Sequence, residues 1–230
     1  MMARAKISTG SRAFDALLGG GAQPGSFLLL YGEPASGKTV VCLNFVANHL
    51  TLDPAAKAVY IDSDAKFSLE RLKQITEDKV DLRRFFYSKP TTFQEQANVI
   101  DDLESRLEPS DLVVIDSITG LYRVETGDSK RTFMENKELN RQLGQLKEIA
   151  LTKEAATIIT GQVRSILDSP IPAVEPVAPR LLYYWADFVV KLENTANSRI
   201  KQITLEKPTS RKGTIRLAIT PTGLEDEKRW

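Results

Sequence analysis

The residues with the clearest chemical promise run Gly32-Glu33-Pro34-Ala35-Ser36-Gly37-Lys38-Thr39, a G-x-x-x-x-G-K-T spacing set between the apolar run Phe27 to Tyr31 and the segment Val40-Val41-Cys42-Leu43. Such a loop is built to grip phosphate. Its glycines let main-chain N–H groups curl around an anion, and the positive end of the helix that follows adds attraction. In this pattern Lys38 reaches the terminal phosphates of a nucleoside triphosphate, and Thr39 offers its hydroxyl to Mg²⁺, an ion that takes oxygen ligands. Gly32 through Val40 are therefore the candidate nucleotide-binding residues.

Two further carboxylate positions suit the same chemistry. Asp111-Leu112-Val113-Val114-Ile115-Asp116-Ser117 is an apolar strand ending in Asp116, which can complete the Mg²⁺ shell beside Thr39. Alone, such an aspartate would as readily cap a turn; paired with the phosphate loop it becomes the candidate metal residue. Ala58-Val59-Tyr60-Ile61-Asp62-Ser63-Asp64 ends a second strand with two carboxylates, where an α/β sheet opens its ligand crevice. Either can orient an attacking water or cap the turn before Phe67, and Asp64 is the preferred catalytic candidate.

These residues need a scaffold that brings strand ends together. Short apolar runs at Phe27 to Tyr31, Ala58 to Ile61, Leu112 to Ile115, Thr157 to Thr160 and Phe188 to Leu192 read as strands buried on both faces. Between them, Leu139, Leu143, Leu146 and Ala150 form one helical stripe, and a second helix begins at Thr92, whose spacing to Glu95 is a capping box. Alternation of strand and helix predicts an α/β fold, a mainly parallel sheet flanked by helices. Ile200 to Glu206 and Thr214 to Ile219 alternate and predict a C-terminal antiparallel hairpin at the sheet edge, spanning about 200–220. Residues 1–230 read as a single domain with a lead-in helix and turn over 1–25. Ser169 to Arg180 holds Pro170, Pro172, Pro176 and Pro179 and is expected to be a long loop.

Composition narrows the classes that remain. With 42% apolar and 27% charged residues, the chain is neither disordered nor collagen-like. Lys plus Arg number 31 against 30 Asp plus Glu, so the +1 net charge requires any nucleic-acid affinity to come from a local patch. A single cysteine, Cys42, and a single histidine, His49, exclude an internal disulfide and a Cys/His zinc site, and both read as packing residues on the helix after the loop. No apolar run approaches the roughly 20 residues of a membrane span and no signal-peptide core is present, so a cytoplasmic protein without membrane contact is expected. Tyr183, Tyr184 and Trp185 read as core-packing residues ahead of Phe188.

Taken in order, Ile7-Ser8-Thr9-Gly10-Ser11 through Leu17-Leu18-Gly19-Gly20-Gly21, the phosphate loop, Ile61-Asp62-Ser63-Asp64, Phe67 with Glu70-Arg71, Asp116-Ser117-Ile118-Thr119 with Tyr122-Arg123, Gln162-Val163 and Ile219 to Glu225 resemble the RecA/RadA recombinase superfamily. The likeness covers nearly the whole chain and is greatest to its short archaeal RadB branch, which lacks an N-terminal helical DNA-binding domain. The resemblance implies a RecA-like P-loop ATPase core, ATP and Mg²⁺ as cofactors, and DNA, together with other recombination proteins, as partners. It assigns water activation to Asp64, adenine stacking to Arg71 and γ-phosphate sensing to Gln162. The superfamily usually carries glutamate where Asp64 stands, and the shorter arm predicts slow hydrolysis. Two loops that face DNA map to about Glu125 to Phe133 and Ser165 to Arg180, with Lys130, Arg131, Arg164 and Arg180 as candidate phosphate contacts; solvated surface charge is the other reading. Lys207, Arg211 and Lys212 fall where RecA-like proteins send cations across an ATP-bridged interface. The segment before Ile7 lacks the aromatic-x-x-Ala tether of RadA, so a monomer or weak homo-oligomer is expected. The implied function is that of a DNA-associated recombination and repair accessory protein, the alternative being a KaiC-like ATP-gated adaptor that binds proteins and not DNA.

Overall fold

The computed structural model describes residues 5–125, 129–166 and 173–227, and side chains at all of these except 123–131. Helices α1 (Arg12–Leu18), α2 (Lys38–Leu52) and α3 (Leu69–Thr76) are interleaved with strands β1 (Phe27–Gly32), β2 (Ala58–Asp62) and β3 (Phe85–Ser88). Next come α4 (Phe93–Arg106), β4 (Leu112–Asp116), α5 (Gly120–Glu125), α6 (Ser129–Lys153), β5 (Ala156–Gly161), β6 (Val163–Ser165), β7 (Val174–Pro176) and α7 (Pro179–Trp185). Strands β8 (Phe188–Asn194), β9 (Ile200–Lys207), β10 (Gly213–Thr220) and β11 (Gly223–Asp226) follow.

Every residue of β1, β2, β4 and β5 is buried, as expected of strands covered on both sides. Side chains alternate between the two cores. Leu28 and Leu30 of β1 pack with Val41, Phe45 and Val46 of α2, while Phe27, Leu29 and Tyr31 join Leu139, Leu143 and Leu146 of α6. Among the described residues the main sheet has nine strands in the order β11-β10-β9-β8-β1-β5-β4-β2-β3, parallel from β8 to β3 and antiparallel from β8 to β11. This is the mainly parallel α/β architecture with antiparallel C-terminal strands that the residue patterns predict. Register then fixes the site: Tyr31 lies beside Gly161 and Asp62 beside Asp116, so the carboxyl ends of β1, β5, β4 and β2 finish at one edge.

Local signals account for the helix boundaries. Thr92 Oγ1 accepts from Glu95 N at 3.1 Å and starts α4, while the Glu95 carboxylate takes the N–H and hydroxyl of Thr91 at 2.7 and 2.8 Å. Two expectations need correction. The segment from Ser169 to Arg180 is not one long loop: Val174–Pro176 pairs with β6 in a separate two-stranded ribbon, and Pro179 occupies the first turn of α7. Both placements suit proline, which costs no central ladder bond in a peripheral ribbon and needs no N–H at a helix start; residues 167–172 lie outside the described part. The hairpin β9–β10 is also not the sheet edge, because the chain turns again after Thr220 and β11 pairs outside β10. The aromatic run on α7 divides its work. The hydroxyls of Tyr183 and Tyr31 both donate to Glu206 Oε2, at 2.6 and 2.8 Å, Trp185 Nε1 donates to Asn140 Oδ1 at 2.9 Å, and Tyr184 is exposed.

Candidate active site

The phosphate loop closes on itself around its lysine. Lys38 Nζ donates to the carbonyls of Gly32 at 2.8 Å and Glu33 at 2.9 Å and lies 3.5 Å from Ser36 Oγ. Ser36 N donates to Glu33 O at 3.2 Å, Ala35 takes a left-handed φ of 60°, and Asn194 Nδ2 braces the loop from β8 by donating to Pro34 O at 3.2 Å. Gly37 caps α2 with φ +96°, and a Cβ there would stand 2.3 Å from Ile219 Cδ1, so no other residue fits without distortion. Val40 follows within α2, half-buried against the core. Burial lowers the Lys38 ammonium below its usual range, an effect the Asp116 charge opposes and Lys66 reinforces.

Thr39 and Asp116, 77 positions apart, meet at 2.6 Å, the Thr39 hydroxyl donating to Oδ2. Tyr60 OH donates to the same oxygen at 2.9 Å, and Thr160 Oγ1 donates to Oδ1 at 2.6 Å from β5, the strand between β1 and β4. Burial pushes the Tyr60 phenol well above its usual range, with the Asp116 charge adding to the effect. A hydroxyl and a carboxylate side by side at the foot of a phosphate loop form the oxygen donor set Mg²⁺ takes, with phosphate and water filling the remaining positions. The residues present therefore fit Mg²⁺, and the glycine-lined loop fits a polyphosphate.

The two carboxylates at the end of β2 and just beyond it have separate fates. Asp62 accepts the N–H groups of Lys66 and Phe67, each at 3.0 Å, and the hydroxyl of Tyr87 at 3.0 Å, so it organises the turn. Asp64 faces the site. Its Oδ1 accepts from Ser117 Oγ at 2.9 Å and Gln162 Nε2 at 3.0 Å, and Lys66 Nζ sits 2.9 Å from its Oδ2. The N–H groups of Ser63 and Asp64 both donate to Asp116 O, at 3.0 and 3.3 Å, tying the two acidic loops together. Gln162 N is held by Thr119 Oγ1 at 2.9 Å, so the candidate sensor sits between the Asp116 turn and Asp64.

The remaining candidates are dispersed. Arg71 turns its guanidinium onto the β10–β11 turn, donating to Pro221 O at 2.6 Å and to Thr220 O. Arg164 forms an ion pair with Glu175 across the β6–β7 ribbon at 2.8 Å, and Arg180 is exposed on α7. The side chains of Lys130 and Arg131 lie outside the described residues. Val189 of β8 pairs with Lys207 while Gly32 pairs with Leu192, so the β9–β10 turn is at the far end of the sheet from the phosphate loop. Lys207 Nζ there donates to the carbonyls of Tyr183 and Ala186 at 2.9 and 2.5 Å, Arg211 Nη1 donates to Leu18 O at 3.1 Å, and Lys212 is exposed. None of the three enters this chain's own loop.

Sequence reasoning did not mark Lys66, Gly120, Tyr60 or Thr160. Gly120 carried the one readable signal, a glycine opening a helix four residues after Asp116. A Cβ at that position would stand 2.1 Å from Asp64 Oδ1. Tyr60 and Thr160 contact Asp116 only through the folded sheet, whereas Lys66 reaches Asp64 from two positions along the same turn.

A phosphate loop at the carboxyl end of a central parallel strand, an aspartate at the end of β4 two places along, and antiparallel C-terminal strands make up the RecA-like fold. A model of the Rad51 family matches residues 3–227, and the chain belongs to that family. A DNA repair and recombination protein RadB from Methanococcus maripaludis is 34% identical over 219 residues, which is 92% of this chain and 96% of that protein. Another RadB, from Methanosphaera stadtmanae, is 33% identical over 200 residues, 85% of this chain and 84% of that one. The crystal structure of a RadB recombinase superposes with a TM-score of 0.81 at 33% identity, covering 96% of this chain and all of that chain (100%). A family match of this extent does not favour the KaiC-like adaptor. Among the described residues no helix is long and apolar enough to cross a membrane.

Proposed function

We propose that this protein is an ATP-binding, DNA-associated accessory factor of recombination and repair that hydrolyses ATP slowly with Mg²⁺. The observation that carries this reading is the 2.6 Å contact of Thr39 with Asp116 beneath a loop whose lysine is ringed by main-chain carbonyls. In this reading the N–H groups of the loop and Lys38 hold the β and γ phosphates, while Thr39 and Asp116 hold Mg²⁺, whose charge screens the phosphates when bound. Asp64 accepts a proton from the attacking water and Ser117 and Gln162 aim its carboxylate, with Gln162 also sensing the terminal phosphate. Arg71, pinned to the β10–β11 turn, presents a flat guanidinium to the adenine.

Arg164 and Arg180, with Lys130 and Arg131 at the start of α6, meet DNA phosphates, which makes binding independent of sequence and sensitive to salt. Lys207, Arg211 and Lys212 act on a neighbouring subunit's nucleotide when copies associate, the resting form being a monomer or weak oligomer in the cytoplasm. Titration of fluorescent single-stranded DNA across a salt series, with and without ATP, tests the DNA half of the reading. Binding at low salt that weakens steeply as salt rises supports it; no binding at low salt refutes it and returns the adaptor alternative. ATP turnover by the wild type and by Lys38→Ala tests the enzymatic half, the variant losing all turnover.

A further inference from the structure

Gln96 is fully buried on the face of α4 that also carries Phe93, Ala97, Ile100 and Leu103. An amide in an apolar stripe is costly unless its polar atoms are paired, and this one is paired at both ends. Its Oε1 accepts from Ser63 Oγ at 2.7 Å, and its Nε2 donates to Ile118 O at 3.2 Å and Gln142 Oε1 at 2.8 Å. Gln142, also fully buried, donates in turn to Glu138 Oε1 at 3.2 Å on α6.

The partners matter more than the burial. Ser63 immediately precedes Asp64, and Ile118 immediately follows Ser117, whose hydroxyl holds Asp64 Oδ1 at 2.9 Å. One side chain thus grips the two acidic loops from below, each a single residue away from the group that meets the reacting atoms. We propose that Gln96 is a positioning residue for ATP hydrolysis, holding the Asp64 loop and the Asp116–Ser117 turn at a fixed separation, with Gln142 locking its amide in orientation. The proposal rests on the reading of this site as an ATPase. Amides are aimed by their partners, and water activation tolerates little displacement of the base, so loss of the grip should fall on turnover and leave the nucleotide's loop contacts intact.

The test is Gln96→Met, nearly equal in volume and without polar atoms to pair, against Ile100→Val, a buried control on the same helix face that loosens packing alone. Expected for Gln96→Met are a kcat for ATP at least tenfold lower, a KM within about threefold of wild type, and amide exchange at Ser63 and Asp64 at least tenfold faster. Ile100→Val should lower thermal stability while leaving kcat, KM and exchange at Ser63 and Asp64 close to wild type. Ser63→Ala, which removes one contact and keeps the core amide, should give the same pattern in smaller measure should Gln96→Met fail to fold. Losses of kcat and protection that Ile100→Val reproduces at a matched loss of stability overturn the proposal, as does a rise in KM with kcat unchanged. Exchange at Ser63 and Asp64 is read without ATP, so a wild type that hydrolyses nothing would sink the ATPase reading while unchanged exchange would sink the grip.

Discussion

Gly120→Ala should silence the site without harming the fold. Gly120 opens α5 and its φ is not left-handed, so the backbone accepts alanine, which is intrinsically favoured in a helix by about 1 kcal/mol. The added Cβ would stand 2.1 Å from Asp64 Oδ1 and 3.0 Å from Ser117 Oγ. Bringing the first distance to an ordinary contact of about 3.4 Å means moving the carboxylate oxygen by roughly 1.3 Å. The Asp64 side chain can rotate, so the fold absorbs the change, but the oxygen leaves Ser117 and Gln162, which hold it at 2.9 and 3.0 Å. A displacement of about 1 Å at a reacting group costs on the order of 100-fold in rate, equivalent to about 2.7 kcal/mol of barrier. Steady-state ATP turnover, nucleotide titration and thermal melting read the three parts: turnover down about 100-fold, affinity unchanged, melting temperature level or higher. Turnover within threefold of wild type would refute the assignment of Asp64 to water activation.

Other consequences concern groups away from the reacting centre. Lys207→Met removes a charged donor from the carbonyls of Tyr183 and Ala186 at the end of α7 and should cost about 1.5–3 kcal/mol in urea unfolding, while Lys212→Ala should leave stability unchanged. Glu175→Gln frees Arg164 from its 2.8 Å ion pair and should strengthen single-stranded DNA binding several-fold at low salt, with the gain vanishing at high salt; unchanged affinity removes Arg164 from the DNA surface. Burial lowers the His49 imidazole below 6.5, so the unfolded chain takes up that proton more readily than the folded one. Stability contributed by neutral His49 is therefore complete above pH 6.5 and falls as pH drops below it, by at most about 1.4 kcal/mol per unit. The denaturant midpoint of the wild type should fall relative to that of His49→Phe as pH drops from 7 to 5, and parallel curves would count against it.

What could be read from residues alone was what local physics decides. The strands ending at Gly32, Asp62 and Asp116 were legible because burial on both faces demands unbroken apolar runs, and α4 because Thr92 and a helical stripe mark its start and face. The phosphate loop was legible because its chemistry is contiguous. Strand β3 was missed: Phe85-Phe86-Tyr87-Ser88 is an edge strand, with Phe86 and Tyr87 exposed, so it shows neither a fully buried run nor alternation. The β6–β7 ribbon was hidden by prolines that read as loop until pairing is known. Lys66, Gly120 and Gln96 escaped for a different reason. Gly120 and Gln96 act on a carboxylate loop through contacts the fold creates, and Lys66, though only two positions from Asp64, is a lysine in a turn that carries no mark of its partner.

The most direct test of the nucleotide site is calorimetric titration of ATP into the folded protein, with and without Mg²⁺, alongside Lys38→Ala and Thr39→Val. Saturable binding that Mg²⁺ strengthens, lost in Lys38→Ala and no longer Mg²⁺-dependent in Thr39→Val, is the predicted result. Absence of ATP uptake by the well-folded wild type, or identical isotherms for all three proteins, would contradict it.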